Sequence, residues 1–413
     1  MKFKLTDLER KWVLYDVGNS AFTMLVATIF PIYFNYLAGK AGISSVDYLA
    51  YWGYAASVCT LIVAVTGPVL GTIADTKNYK KTIFTVFLII GAFGCMVLGF
   101  ISSWIWFLGV FVITKAGYSA SLIFYDAMLT DVTEPDRMDN VSSYGFAWGY
   151  IGSCVPFIAG LAVVLGAGKL HLGMQSSMTI AFMITAVWWV LFTIPLLKSY
   201  RQRYFVNVTG HVVRSGFERL GHTFKDIMKE KKIFLFLLAF FCYIDGVYTI
   251  ISMATAYGQA MGLDSTGLLL ALLVTQIVAF PSVIVFTKIA KKVSPVNIIT
   301  ICIAAYLAIS VYAYWLDTQT DFWILAVLVG VFQGTIQALS RSYFAKIIPA
   351  EKSGEYFGLY DICGKGAAIF GTAFVSFMSQ VTNDVNKGVT AISIMFVIGL
   401  VLFRAAVKTG QKA

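Results

Sequence analysis

Apolar residues fall into twelve long runs separated by short polar breaks, at 13–37, 50–74, 82–101, 105–129, 142–166, 176–197, 233–258, 265–288, 295–316, 322–345, 356–380 and 388–407. Each run has the roughly 20 residues that an α-helix needs to cross the hydrocarbon core of a bilayer. The pattern predicts an all-α membrane protein with twelve transmembrane helices. One long polar stretch, Lys198–Lys232, interrupts it. The chain therefore divides into a six-helix half at 1–197, a linker at 198–232 and a second six-helix half at 233–413. Within the linker, Phe217, Leu220, Phe224, Ile227 and Met228 make one apolar stripe, with Arg214, Arg219, Lys225 and Lys229 around it. That spacing predicts a short amphipathic helix on the inner membrane face. Its role is a brace or gate between the halves, or equally a passive linker in contact with lipid.

Composition supports this reading. Hydrophobic residues make up 59% of the 413 residues and charged residues 13%, against about 25% charged in a soluble domain. A disordered chain is excluded too, because such chains are poor in apolar residues. The net charge of +10 has a topological meaning. With the N-terminus inside, 26 of the 31 Lys and Arg residues fall in inside segments, and only Lys40, Lys169 and Lys387 fall outside. Basic residues crowd cytoplasmic loops. Both termini and the linker are expected on the cytoplasmic side of the membrane. No basic-aromatic ladder points to nucleic acid. The six cysteines (Cys59, Cys95, Cys154, Cys242, Cys302, Cys363) all lie inside apolar runs and form no C-x-x-C pair. They read as small buried hydrophobes. His171, His211 and His222 lie outside the runs. No metal or other cofactor is expected, and Met1–Lys11 does not start a cleavable signal peptide.

The halves carry signs of duplication. Pro68 matches Pro281, and Tyr144-Gly145 matches Phe357-Gly358, both at an offset of 213. Tyr15-Asp16-Val17-Gly18 at the start of the first predicted helix shares an aromatic-acid-Gly pattern with Tyr243-Ile244-Asp245-Gly246 in the seventh. Parallel repeats of this kind are one recurring plan of membrane transporters, with the substrate site between the repeats near the midplane.

Ionisable groups within a span are costly, about 2.5–3.5 kcal/mol each on insertion scales, and they normally face a cavity or a partner. Lys115, Asp245 and Lys365 lie near the middles of their helices. Asp361 precedes Lys365 by four residues, an acid-base pair on one helical face. Asp16 and Asp126 lie nearer the cytoplasmic ends. Gln333 and Gln337, one turn apart, offer donors and acceptors to a polar ligand; Asn19 and Ser20 do the same on the first helix. The expected substrate-binding set is Lys115, Asp245, Lys365, Gln333, Gln337 and Asn19. Asp245, Asp361, Asp16 and Asp126 are the candidates for ion coupling, since a buried carboxylate that loses its partner takes up a proton. Static pairing within the bundle is the alternative for each.

The loop Gly71-Thr-Ile-Ala-Asp75-Thr-Lys77-Asn78-Tyr-Lys80-Lys81 resembles the G-x-x-x-D-x-x-G-R-K signature of the major facilitator superfamily, with Asn78 at the second Gly and Lys80 in place of Arg. The resemblance implies a latch between the halves built from Gly71, Asp75, Lys80 and Lys81. Asp75 would accept from helix N-terminal amides and from a lysine. Arg341 is a further inner latch or a headgroup anchor. Five segments carry a closer likeness: Tyr15–Phe22, Phe124–Leu129, Tyr243–Gly246, Gln333–Ser342 and Phe357–Lys365. Together they resemble the autophagy-related vacuolar amino-acid effluxers, a branch of the major facilitator superfamily with bacterial members. The resemblance implies two pseudo-symmetric six-helix halves and outward, proton-coupled movement of an amino acid or related small polar solute by alternating access. H⁺ is expected in preference to Na⁺, with lipid around a monomer. An exporter of amphiphiles or drugs is the first alternative, and a non-transporting receptor another. An enzyme is not expected, because no histidine lies within a span.

Overall fold

A computed structural model describes residues 3–207, 212–260, 263, 265–382 and 384–410. The described residues are helical almost throughout. Among the described residues, eleven stretches are long and apolar enough to cross a membrane. The chain is an integral membrane protein. The remaining predicted span, 356–380, is built differently: α-helix at Ser353–Asp361, π-helix at Ile362–Gly366, then α-helix at Ala367–Thr382. Neither α-helical piece reaches spanning length alone.

Contacts group the chain into two compact units. Unit 1 comprises Met1–Val132, Trp148–Val212 and Glu351–Gly358. It contains α1 (Asp7–Ala27), α2 (Ile29–Lys40), α3 (Ser45–Ala74), α4 (Tyr79–Leu98), α5 (Trp104–Ala127), α6 (Leu129–Val132), most of α7 (Met138–Leu165) and α8 (Met174–Ser199). The first predicted span is broken at Thr28 because Pro31 has no N–H and its ring opposes the carbonyl four residues earlier. Thr6 and Glu9 form a reciprocal capping box that starts α1. The interior is aromatic, with Trp12 stacked on Tyr125 at 4.4 Å and Phe30 edge-on to Phe182 at 4.8 Å. The exterior is apolar as well. Tyr54, Val58, Leu61, Ile62 and Val65 expose one stripe of α3, and Val86, Ile89 and Phe93 one stripe of α4. Large apolar faces in continuous rows fit lipid, not water.

Unit 2 comprises Thr133–Ala147, Val213–Ala350 and Leu359–Ala413. It contains α9 (Val212–Lys229), α10 (Lys231–Ala260), α11 (Ser265–Ile289), α12 (Pro295–Tyr312), α13 (Gln319–Ile347), the end of α14 (Ser353–Asp361), the π turn, α15 (Ala367–Thr382), α16 (Val385–Thr390) and α17 (Ser393–Gly410). The stripe predicted in the linker is helical, as α9. Among its described side chains Thr223 and Ile227 are buried, and Met228 is exposed. Phe217 and Phe224 lie outside the described side chains.

The two aromatic-acid-Gly motifs do the same structural work. Tyr15 pairs with the Ser121 hydroxyl at 2.8 Å, and Tyr243 with the Ser340 hydroxyl at 2.6 Å. Gly18 lets α1 approach the α8 backbone, where a Cβ would lie 3.0 Å from the Trp189 carbonyl oxygen. Gly246 lets α10 approach α17, where a Cβ would lie 2.6 Å from the Phe396 ring.

Candidate functional site

In unit 1 the loop between α3 and α4 forms a fully buried ionic cluster. Asp75 accepts from the amides of Gly354 and Glu355 at 2.8 and 2.9 Å, one on each carboxylate oxygen. These amides belong to the first turn of α14, whose N–H groups have no partner within their own helix. A carboxylate there also complements the positive end of the helix dipole. Lys80 is wholly buried. Its ammonium lies 3.6 Å from Asp75 and 3.2 Å from Asp131, and donates to the Ser353 hydroxyl at 2.7 Å. Asp131 accepts from the Tyr200 hydroxyl at 2.5 Å and from the amides of Arg203 and Tyr204, both at 2.9 Å. Burial, and then the charge of Asp131, push the Tyr200 phenol well above its ordinary pKa. It stays a donor at physiological pH. Asn78 stands where the signature has glycine and adopts φ 68°, a left-handed conformation that asparagine tolerates. Lys81 is half-buried.

Close backbone approach supports this cluster. A Cβ on Gly71 would collide with the Gly354 carbonyl, and one on Gly358 would lie 2.8 Å from the Pro68 Cα. Gly358→Val is expected to lower stability by about 1–3 kcal/mol, the usual effect of overpacking. A thermal melt followed by cysteine labelling checks this; an unshifted melting temperature contradicts it.

A second polar cluster lies in unit 2, where the start of α7 meets the end of α13. Arg341 is buried. It donates to the Ser142 hydroxyl at 2.9 Å and the Ser142 carbonyl at 3.0 Å, with its guanidinium 4.4 Å from the Phe146 ring centre. Ser142 donates to the Ala338 carbonyl at 2.7 Å. Asp139 accepts from Ser342 at 2.7 Å and pairs with Lys346 at 2.5 Å. The sequence reading missed Asp131, Tyr200, Asp139 and Ser142. The acid six residues after Tyr125 and the acid-serine start of α7 were the available signals.

Asp245 is wholly buried on α10. Its Oδ1 accepts from the Gly371 amide at 3.2 Å and from the Thr249 hydroxyl at 3.3 Å. Its Oδ2 has no hydrogen-bond partner among the described residues. Gln333 is buried on α13; its main-chain carbonyl accepts from Gln337 at 3.1 Å, and its side-chain NH₂ group has no partner among the described residues. Two clefts of unit 2 adjoin these groups. Thr249, Tyr257 and Ser310 are the polar residues lining one, and Thr275, Gln276 and Gln333 those lining the other. Ile250, Ala254 and Leu325 line both, and the remaining walls are apolar.

The other predicted residues are dispersed. Asp16 is buried on α1 and accepts from Asn19 at 3.4 Å; Asn19 also donates to the Tyr15 carbonyl at 2.9 Å. Ser20 is half-buried on the next turn. Lys115 is half-buried on α5, 5.8 Å from the Phe111 ring centre. Asp126 and Asp361 are half-buried at the ends of α5 and α14. The turn from Asp361 to Lys365 is π, so the α-helical spacing expected for that pair does not apply. The Lys365 side chain lies outside the described residues.

Comparison with known proteins places these features in context. The profile of the vacuole effluxer Atg22-like family matches residues 8–412. An uncharacterised MFS-type transporter of Bacillus subtilis (strain 168), YxiO, is 44% identical over 407 residues, covering 97% of this chain and 95% of that protein. Autophagy-related protein 22 of Cryptococcus neoformans var. neoformans serotype D (strain JEC21 / ATCC MYA-565) is 25% identical over 295 residues, 66% of this chain and 51% of that one. The match thus spans about half of the fungal protein. Among solved structures, the fucose:proton symporter FucP of E. coli superposes with a TM-score of 0.71 at 14% identity, covering 97% of each chain. A bacterial homologue of the iron transporter ferroportin gives 0.69 at 14% identity, covering 97% of this chain and 98% of that one. At such identities these two likenesses concern the fold.

Proposed function

Because the chain belongs to the Atg22-like effluxer family of major facilitator transporters, we propose that it exports a small polar solute, an amino acid or related metabolite, by proton-coupled alternating access. One observation carries the coupling: a wholly buried carboxylate, Asp245, with one oxygen unpartnered among the described residues. Charge at such a site is costly unless it is paired. Asp245 therefore alternates between a proton and a cationic partner, the substrate ammonium. The unpartnered Gln333 side-chain donor supports a ligand with an acceptor group, such as a carboxylate. Gln337, Lys115, Lys365 and Asn19 complete the binding set; Asp16, Asp126 and Asp361 assist coupling.

The remaining assignments belong to the same proposal. The halves 1–197 and 233–413 are duplicates joined by the linker 198–232. Their shared tyrosine–serine and glycine packing supports this. The Asp75–Lys80 cluster, with Gly71 and Lys81, and the Arg341 cluster form gates at the cytoplasmic end. Both termini lie there, and the protein works as a monomer in a bacterial inner membrane, with H⁺ as the coupling ion.

The apolar walls of the two clefts favour a second reading, export of an amphiphile. A thermal-shift screen separates the two. Purified protein is heated with each of the twenty amino acids, with nucleosides, with sugars and with cationic amphiphiles. A ligand that binds the folded state raises the melting temperature by mass action. Amino acids are expected to do so; a rise with amphiphiles alone overturns the first reading.

A further inference from the structure

The helical run from Ser353 to Thr382 is held at two places, with a π turn between them. At its start, Asp75 and Lys80 take the amides of Gly354 and Glu355 and the hydroxyl of Ser353. Further along, the Gly371 amide donates to Asp245. The π turn, Ile362–Gly366, falls between these holds. So does the boundary between the compact units, which lies between Gly358 and Leu359. π turns inside α-helices concentrate at functional sites. A side chain that reaches into a helical ladder is also a recognised cause of a kink.

The fit at Gly371 is close. A Cβ there would lie 2.5 Å from Asp245 Oδ1 and 2.9 Å from its Cγ, and would strike the Thr249 hydroxyl. Glycine is what lets the carboxylate reach this amide. A hydrogen bond to a charged acceptor is about twice as strong as one to a neutral acceptor. The charge of Asp245 therefore sets how firmly this part of the helix is held.

We propose that Gly371 is a positioning residue for Asp245, and that the π turn Ile362–Gly366 is the joint through which loosening at Gly371 reaches the hold on Asp75. The inference rests on the coupling role of Asp245, and it adds how that carboxylate acts on the inner gate. Ser353–Gly358 and Gly371, whose amide Asp245 holds, belong to one helical run. A change at Asp245 thus reaches Asp75 along one run of main chain.

Hydrogen–deuterium exchange on protein in lipid nanodiscs tests this, comparing wild type, Gly371→Ala and Asp245→Asn. Asp245→Asn is isosteric and covers the case in which Gly371→Ala fails to fold. Loss of one charge-assisted hold is expected to speed exchange in the peptide 351–361 by about tenfold in both variants, with α4 and α12 as protected as in wild type. Unchanged exchange at 351–361 overturns the proposal, and so does a uniform rise that includes α4 and α12. Loss of coupled transport in Asp245→Asn with unchanged exchange at 351–361 removes only the mechanical link. Full coupled transport in Asp245→Asn removes the coupling reading itself.

Discussion

Lys80→Ala is expected to destabilise the protein by about 3–5 kcal/mol, the effect of removing one partner from a buried ion pair. Lys80, Asp75 and Asp131 are all wholly buried. The ammonium lies within 4 Å of both carboxylates. Without it two buried carboxylates lose a shared cation, and the hydroxyl of Ser353 loses its donor. Asp131→Asn is the informative contrast. It removes the excess negative charge and keeps an oxygen for the Arg203 and Tyr204 amides. Its effect should be clearly smaller. The six free cysteines, four of them buried, report unfolding to a thiol-reactive dye without further labelling sites. Equal melting temperatures for the two variants would show that the net charge of the cluster does not govern its stability.

Asp245→Asn is expected to abolish accumulation driven by an imposed pH gradient and to weaken, without abolishing, equilibrium exchange of the solute. The amide keeps the shape of the side chain and can still accept from Gly371 and Thr249. It cannot carry a proton on and off. Exchange needs the binding site and the conformational cycle but no net proton movement, so it separates coupling from folding. Radiolabelled solute in proteoliposomes measures both. Loss of both activities in a folded variant would place Asp245 in binding alone. Survival of gradient-driven accumulation would take it out of coupling.

The spans were readable because their signal is length and composition, which a bilayer fixes nearly by itself. The two departures have local causes. Pro31 breaks the first span, and the last span before the C-terminal helix contains a π turn that includes Gly364 and Gly366, where a hydropathy run sees one long span. Asp75 was readable as an acceptor for helix amides because its motif has fixed spacing. The partners Asp131, Tyr200 and Ser353 were not. They lie 51 to 273 residues from Lys80 or beyond their own helix ends, and no spacing rule links them. Asp245 stood out as an acid in the middle of a span. Its unpartnered oxygen and its bond to Gly371 needed coordinates, since a glycine among many in an apolar run announces nothing about a carboxylate 126 residues away.

The most direct test is to follow internal pH in proteoliposomes loaded with a pH-sensitive dye while an amino acid that stabilises the protein is added outside, with no pH gradient imposed. Proton movement that begins with the amino acid, depends on the wild-type protein and is absent with Asp245→Asn is the expected result. Amino-acid flux with no change in internal pH would contradict proton coupling through Asp245.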